Sequence, residues 1–347
     1  MTKESLIQPY GIAADNNFYM TNHQDLIFVP EVELRDNQRM AEENPVRVEV
    51  ERAVAKVVVS GVPEVVPHGD RIDNLKWGLD VTNMYTYWMR KMTFIANSGG
   101  VPNEMEQLNA GYREERYAED PNFTRFSSWN GGNPVGQFEY LSGTPELSKN
   151  FDDYDYTLEN TMDAADQRHD VTTRVVISGT YTPNGFGSVA TRNGGGISFY
   201  YFKGNAIRVE AMRDMVNDRG QIPQELRDAG LEQAIENVLA WNPNAFNSPT
   251  ASFSEGGIHF YYQGVCYYTV LIRHFSNNMV PVLMGYGRYG VVRNNVYQLS
   301  INKIIGPGQP VINPPGTDPD DEDTSWISAD VNIMRWYIRN QNVEELL

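Results

Sequence analysis

The chain has 347 residues, with 28 Lys and Arg against 45 Asp and Glu and a formal net charge of −17. That balance argues against a phosphate backbone or an anionic membrane surface as partner, and a single cysteine, Cys266, permits neither an internal disulfide nor a CxxC metal site. The length suggests two domains, each able to bury a core, and 20 Tyr, 14 Phe, 29 Gly and 19 Pro favour sheets joined by turns.

Before Val46 the sequence shows no clear period. VRVEVERAVAKVVVSGV then alternates, with Val46, Val48 and Val50 on one phase and Ala53, Ala55, Val57 and Val59 on the other, which predicts a strand with a break near Glu51–Arg52. Asp80–Asn97 is rich in Tyr, Trp and Met without a clean period and is left open. The turn-rich, acidic stretch from Gly131 to Thr161 closes the first half, and it places a boundary between a domain over residues 1–165 and a second over 166–305.

In the second half, TTRVVISGTYTP and GGGISFYYFKGNAIRVEA predict strands. IPQELRDAGLEQAIENVLAW predicts a helix with Pro223 in its first turn and with Leu231, Ala234, Ile235, Val238 and Leu239 on one face. Strands resume with GGIHFYYQGVCYYTVLIRHF and with VYQLSINKI, where Tyr297, Leu299 and Ile301 alternate with Gln298, Ser300 and Asn302. No short internal repeat suggests a propeller or solenoid. The reading is mainly β, with one amphipathic helix in the second domain.

Few residues invite chemistry. Gly285, Gly287 and Gly290 spell GxGxxG, but a strand pattern follows where a dinucleotide site needs a helix, so a turn or close backbone packing is expected. The acidic run Asp318–Asp323 lacks the glycine and spaced Glu of a calcium loop and reads as a solvated, self-repelling segment; Asp152, Asp153 and Asp155 read likewise. The five histidines are scattered without zinc spacing. Cys266 sits in strand-like QGVCYYTVLI, where a small buried apolar role is expected. Asn122-Phe-Thr124 is a sequon of the kind chance supplies. Neither an enzyme nor a cofactor or metal site is indicated.

The C-terminal stretch is more informative. Gly306–Ser325 is a Pro-, Gly- and acid-rich tether, taken as residues 306–325, whose 20 residues could span roughly 65 Å and which is expected to stay off the body. Residues 326–347 then add a last strand, with Ile327, Ala329, Val331 and Ile333 on one face and Trp326, Ser328, Asp330 and Asn332 on the other; Trp336 and Ile338 continue the apolar residues. Such a strand must join a sheet, either as an edge of its own domain or on another molecule. Burial of Ile327, Val331, Ile333, Met334, Trp336 and Ile338 would contribute roughly 10–18 kcal/mol before ordering costs.

RYGVVRNNVYQLSINKI (Arg288–Ile304), the tether and the terminal SWISADVNIMRWYIR (Ser325–Arg339) resemble the C-terminal signature of major fimbrial subunits (fimbrillins, type V pilins) of Bacteroidales. ERAVAKVVV, TRVVISGTYTP and GVCYYTVLIRH look like further strands of that family. The resemblance implies two transthyretin-like β-sandwich domains, export as a lipidated precursor to the outer surface, and polymerisation with itself and other fimbrial subunits into adhesive fimbriae. In that family an Arg-specific protease removes an N-terminal strand and the next subunit's C-terminal strand takes its place. Carried over, Ile327, Ala329, Val331, Ile333, Trp336 and Ile338 are donor-strand residues, and Val54, Val57 and Val59 are acceptor-groove candidates. Met1–Asn22 has no apolar signal core and the chain has no lipobox cysteine, so a mature or trimmed form is expected. The alternative is a surface module or pilus tip that binds glycans or host proteins, with Trp77, Trp88 and Trp129 as stacking candidates.

Overall fold

A computed structural model of the chain describes residues 6–7, 13–14, 17–22, 30–31, 34–46, 50–90, 117–123, 137–163, 166–187, 196–274, 287–320 and 327–335. The valine-rich alternation forms strand β1 (Val54–Ser60), which follows a short separate strand at Val50–Arg52, so the expected break lies at Ala53. Ala55, Val57 and Val59 turn inward to the main core. Val54 faces a satellite cluster with Ala53, Leu158, Phe18 and Tyr156.

Further principal strands are β2 (Glu64–Val66), β3 (Arg71–Asp80), β4 (Tyr154–Leu158) and β5 (Arg174–Thr182). Then come β6 (Phe199–Phe202), β7 (Asn205–Arg208), β8 (Phe253–Glu255), β9 (Ile258–Tyr261), β10 (Val265–Leu271), β11 (Asn295–Ile305) and β12 (Ile327–Arg335). One sheet runs β4-β1-β11-β12, with β2 also parallel to β11. A second, antiparallel throughout, runs β10-β5-β3. Their inner faces share one core: Val57, Val59, Tyr297, Leu299 and Ile301 from the first, Trp77, Val175, Ile177, Cys266 and Tyr268 from the second.

Strands from both sides of the boundary expected at 165/166 therefore pair within both sheets. β1 lies parallel beside β11, and β3 is antiparallel to β5. Periodicity reveals which face of a strand is buried but not which distant strand it pairs with.

The second core lies within 199–262. A sheet ordered β7-β6-β9-β8 packs against helices α1 (Val209–Asn217), α2 (Gln224–Asp228) and α3 (Leu231–Trp241). Leu231, Ala234, Ile235 and Val238 are buried and Leu239 partly so, the face read from the sequence. The single expected helix is nevertheless two, because Gly230 stands at φ +90°, a left-handed conformation that ends α2 before α3 begins. α1 corrects the reading too: Val209 onward, taken as continuing strand, is helical and buries Met212 and Met215.

Candidate functional site: the terminal strand and its groove

The segment Arg288–Asn295 fixes the head of β11. Arg288, Tyr289, Val291, Val292, Arg293 and Asn295 are all buried. Gly290, at φ +126°, approaches Asn160, where an added Cβ would stand 2.8 Å from the carbonyl oxygen. Gly287 also has positive φ, Gly285 lies outside the described residues, and β11 follows rather than a helix, which argues against a dinucleotide site. Arg293 donates from Nε to Glu159 Oε2 (3.0 Å) and from Nη2 to Thr86 Oγ1 (2.9 Å) and the Tyr87 carbonyl (3.1 Å). Asn294 N–H donates to the Val54 carbonyl at 2.9 Å, aligning β11 with the start of β1.

β12 lies antiparallel on the other side of β11. Ile333 stands opposite Tyr297, Val331 opposite Leu299, Ala329 opposite Ile301 and Ile327 opposite Ile304, with a register shift between Ile301 and Lys303. Ile327 is buried, and Ala329, Val331 and Ile333 pack against the main core. Ser328, Asp330 and Asn332 face outward, and Asn302 Nδ2 donates to Asp330 Oδ2 at 2.8 Å. The alternation read from the sequence is thus that of the strand. Met334 is a correction: it is 46% exposed, on the outer phase, and does not join the buried set.

β11 is the floor strand of this arrangement. On one side Val57 and Val59 of β1 pair with Tyr297 and Leu299; on the other Ile333 and Val331 pair with the same two residues. Without β12 the outer N–H and C=O groups of β11 would lose their partners and the apolar wall formed by Tyr297, Leu299, Ile301 and Ile304 would open to water. Tyr297 is held in place by the Val292 N–H, which donates to its hydroxyl at 2.8 Å, and by His274 Nδ1 at 2.7 Å. Of the acceptor candidates, Val57 and Val59 line the core one strand from β12, whereas Val54 faces away from it. Trp336 and Ile338 lie outside the described residues.

The tether differs from its expected behaviour. From Gly306 to Asp320 it is laid along the chain's own body: Gln309 exchanges two backbone hydrogen bonds with Tyr267 of β10 (2.8 and 2.9 Å), and Ile312 does the same with Gly143. Tyr268 and Tyr261 donate hydroxyls to the carbonyls of Gly306 (2.9 Å) and Gly308 (2.6 Å). Ile312 packs with Leu147, Val176 and Tyr267 on the outer face of the second sheet. Asp320 Oδ2 accepts from Thr172 Oγ1, and Asp320 N–H donates to the Gln167 carbonyl at 3.1 Å. Proline count and acidic charge gave no sign of these backbone partners.

Other sequence candidates find ordinary places. Asn122 of the sequon is buried and donates Nδ2 to Asn83 Oδ1. Burial pushes the Cys266 thiol up to about 12, unsuited to nucleophilic attack at neutral pH. Trp77 is wholly buried, with Nε1 donating to the Asn150 carbonyl at 2.8 Å; Trp88 packs on Tyr19, ring centroids 4.2 Å apart; and Trp129 lies outside the described residues. Among the described residues no group of three or more His, Cys, Asp and Glu side chains could hold a metal ion, and no helix is long and apolar enough to cross a membrane.

Residues 259–342, which run from β9 through β12, match the family described as major fimbrial subunit protein type IV, fimbrillin, C-terminal. No curated protein matches the chain. Similar solved structures include a fimbrilin from Porphyromonas gingivalis W83, at 14% identity and TM-score 0.34 over 85% of this chain and 61% of that one. Two proteins from Parabacteroides distasonis, provisionally described as cell adhesion proteins, align at 14% identity, TM-score 0.28, 83% and 53% coverage, and at 12% identity, TM-score 0.31, 85% and 62% coverage. The chain thus spans between 53% and 62% of the length of these three structures. The sequence match takes in the strand, the tether and the RYGVVRNN anchor together, and it is over these residues that the chain is similar to the fimbrillin family.

Proposed function

We propose that the chain is a fimbrial subunit, displayed at the cell surface, that polymerises by exchanging its terminal strand with another copy. One observation carries the reading. β12 is the last described element, it completes the main core with one apolar face, and it pairs along β11 from Ile327 to Arg335. The same strand from a second copy would meet the same pockets and the same row of backbone partners, which is how strand addition obtains both affinity and register. In this reading Ile327, Ala329, Val331 and Ile333 are the donor side chains, Trp336 and Ile338 extend the insertion, and Val57 and Val59 stand behind the acceptor strand. Exchange then requires β12 to leave its own groove first, so assembly competes with an intrachain contact.

A cross-strand lock tests this. Ser300 and Asp330 stand directly opposite each other in the β11/β12 register, a relationship compatible with a disulfide across an antiparallel pair. After brief tryptic trimming, the unmodified chain is expected to give ladders on an unheated denaturing gel and fibres by electron microscopy. The oxidised Ser300→Cys/Asp330→Cys variant should remain monomeric and should polymerise once reduced. Polymers from the oxidised variant, or none from the unmodified chain, would overturn the proposal.

A further inference from the structure

We infer that Trp241 and the turn that follows it form a platform for a neutral carbohydrate. Trp241 ends α3 with 54% of its surface exposed, more than any other aromatic residue among those described. It is none of the tryptophans that the sequence suggested for stacking, and it takes no part in either sandwich sheet.

The ring is presented on a fixed support. Buried Phe253 lies beside it, centroids 5.6 Å apart at 43°. Ala245 and Phe246 are buried in the helical core, and Phe246 lies 5.6 Å from Tyr200. Between these anchors the turn holds itself: Ala245 N–H donates to the Asn242 carbonyl (3.0 Å), Asn244 N–H to Asn242 Oδ1 (3.0 Å), and Asn247 Nδ2 to Asn244 Oδ1 (3.2 Å). Asn242 Nδ2, Asn244 Nδ2 and Asn247 Oδ1 have no such partner among the described residues, leaving two donor groups and an acceptor on the turn that leaves Trp241.

The chemistry selects the ligand. A pyranose offers an apolar C–H face that packs on an aromatic ring and hydroxyls that both donate to and accept from amides. From Asn237 to Ser254 the sequence carries no charged residue, although 21% of the chain is charged. That segment therefore brings no cation of its own for a sulfate, sialate or uronate, and the net charge of −17 repels them. Among the described residues of 199–262 Trp241 is the only exposed large hydrophobic side chain, short of the contiguous apolar area of a protein-docking patch. Because the platform lies outside β11 and β12, strand exchange leaves it intact. If the polymerisation reading holds, a fibre would repeat it once per subunit, and avidity could compensate for a weak single site.

The platform is testable on the monomer, independently of polymerisation. Saturation-transfer NMR and tryptophan fluorescence would be recorded with cellobiose, lactose and N,N′-diacetylchitobiose, and with 3′-sialyllactose as the charged comparison. At least one neutral probe should saturate with preference over the sialylated one; Trp241→Ala should weaken it about tenfold or more, while Trp241→Tyr, which keeps a stacking face, retains most binding. Asn244→Ala, which also gives up the exposed hydrogen bond from Asn247 Nδ2, should weaken binding while the thermal midpoint falls only slightly, giving a second test if Trp241→Ala folds poorly. Absence of saturable binding by every neutral probe, or unchanged binding in folded Trp241→Ala, would overturn the inference.

Discussion

Arg293 and Glu159 form an ion pair, Nε to Oε2 at 3.0 Å, from which water is excluded on both sides. A second buried pair, Arg90 with Glu51 at 2.7 Å, lies alongside, and Arg90 Nη2 reaches the Arg293 carbonyl at 3.4 Å. Removal of one partner leaves the other charge buried without compensation. Arg293→Met is therefore expected to cost about 3–5 kcal/mol, read as a lowered urea midpoint. The double variant Arg293→Met/Glu159→Leu should recover much of that loss, because it removes the desolvation penalty along with the pair. A double variant as unstable as the sum of the two single ones would refute this account of the RYGVVRNN anchor.

Gly290 lies within that anchor at φ +126°, where a side chain is strained even in open space, and here a Cβ would also meet the Asn160 carbonyl and the Tyr117 hydroxyl, each at 2.8 Å. Gly290→Ala should destabilise by more than about 1 kcal/mol, since strain and crowding outweigh the reduced freedom of the unfolded chain. Thermal denaturation checks it, and a neutral or stabilising result would show that the turn can relax.

Asp120 couples stability to pH. Burial raises its carboxyl to about 8 and the charge of Glu159 adds to the rise, against the lowering effect of hydrogen bonds from the Thr161 and Asn122 backbone amides. The folded state therefore keeps a proton that the unfolded chain releases near the ordinary aspartate value. The resulting stability is fully present below that value and is lost as pH rises toward 8, by at most about 1.4 kcal/mol per pH unit. Urea midpoints taken across this window should fall with pH in the native chain, and in Asp120→Asn the slope should flatten whatever the absolute stability.

The sequence was most legible where a strand has one wet face. Tyr297, Leu299 and Ile301 in β11, and Ile327, Ala329, Val331 and Ile333 in β12, alternate as their burial does. Legibility failed where the deciding partner is remote. β1 pairs with β11 across most of the chain, and no local pattern encodes that choice. Val54, which the family resemblance groups with Val57 and Val59, is one residue out of phase with them and faces Leu158. Gly230 looked tolerable inside a helix, but its left-handed backbone divides α2 from α3. Trp241 gave no signal at all, because partial exposure of an aromatic at a helix end depends on what surrounds it.

The tether supplies the last prediction. Asp320 is held by the Thr172 hydroxyl and by the Gln167 carbonyl, while His169 N–H donates to the Asp318 carbonyl at 3.1 Å. While that latch is closed, only residues 321–326 are left to bring β12 to a groove, a reach of roughly 20 Å at full extension; freed back to Gly306, the segment regains a reach of roughly 65 Å. Asp320→Ala removes a buried charged acceptor from Thr172 and should loosen the latch without disturbing β11. Limited proteolysis with mass-spectrometric mapping should then show faster cleavage between Gly306 and Trp326 than in the native chain, with the 54–60 and 295–305 strands still protected. If strand exchange requires the long reach, the same variant should also polymerise faster after trimming. Faster cleavage with unchanged polymerisation would mean that neighbouring grooves lie within the short reach.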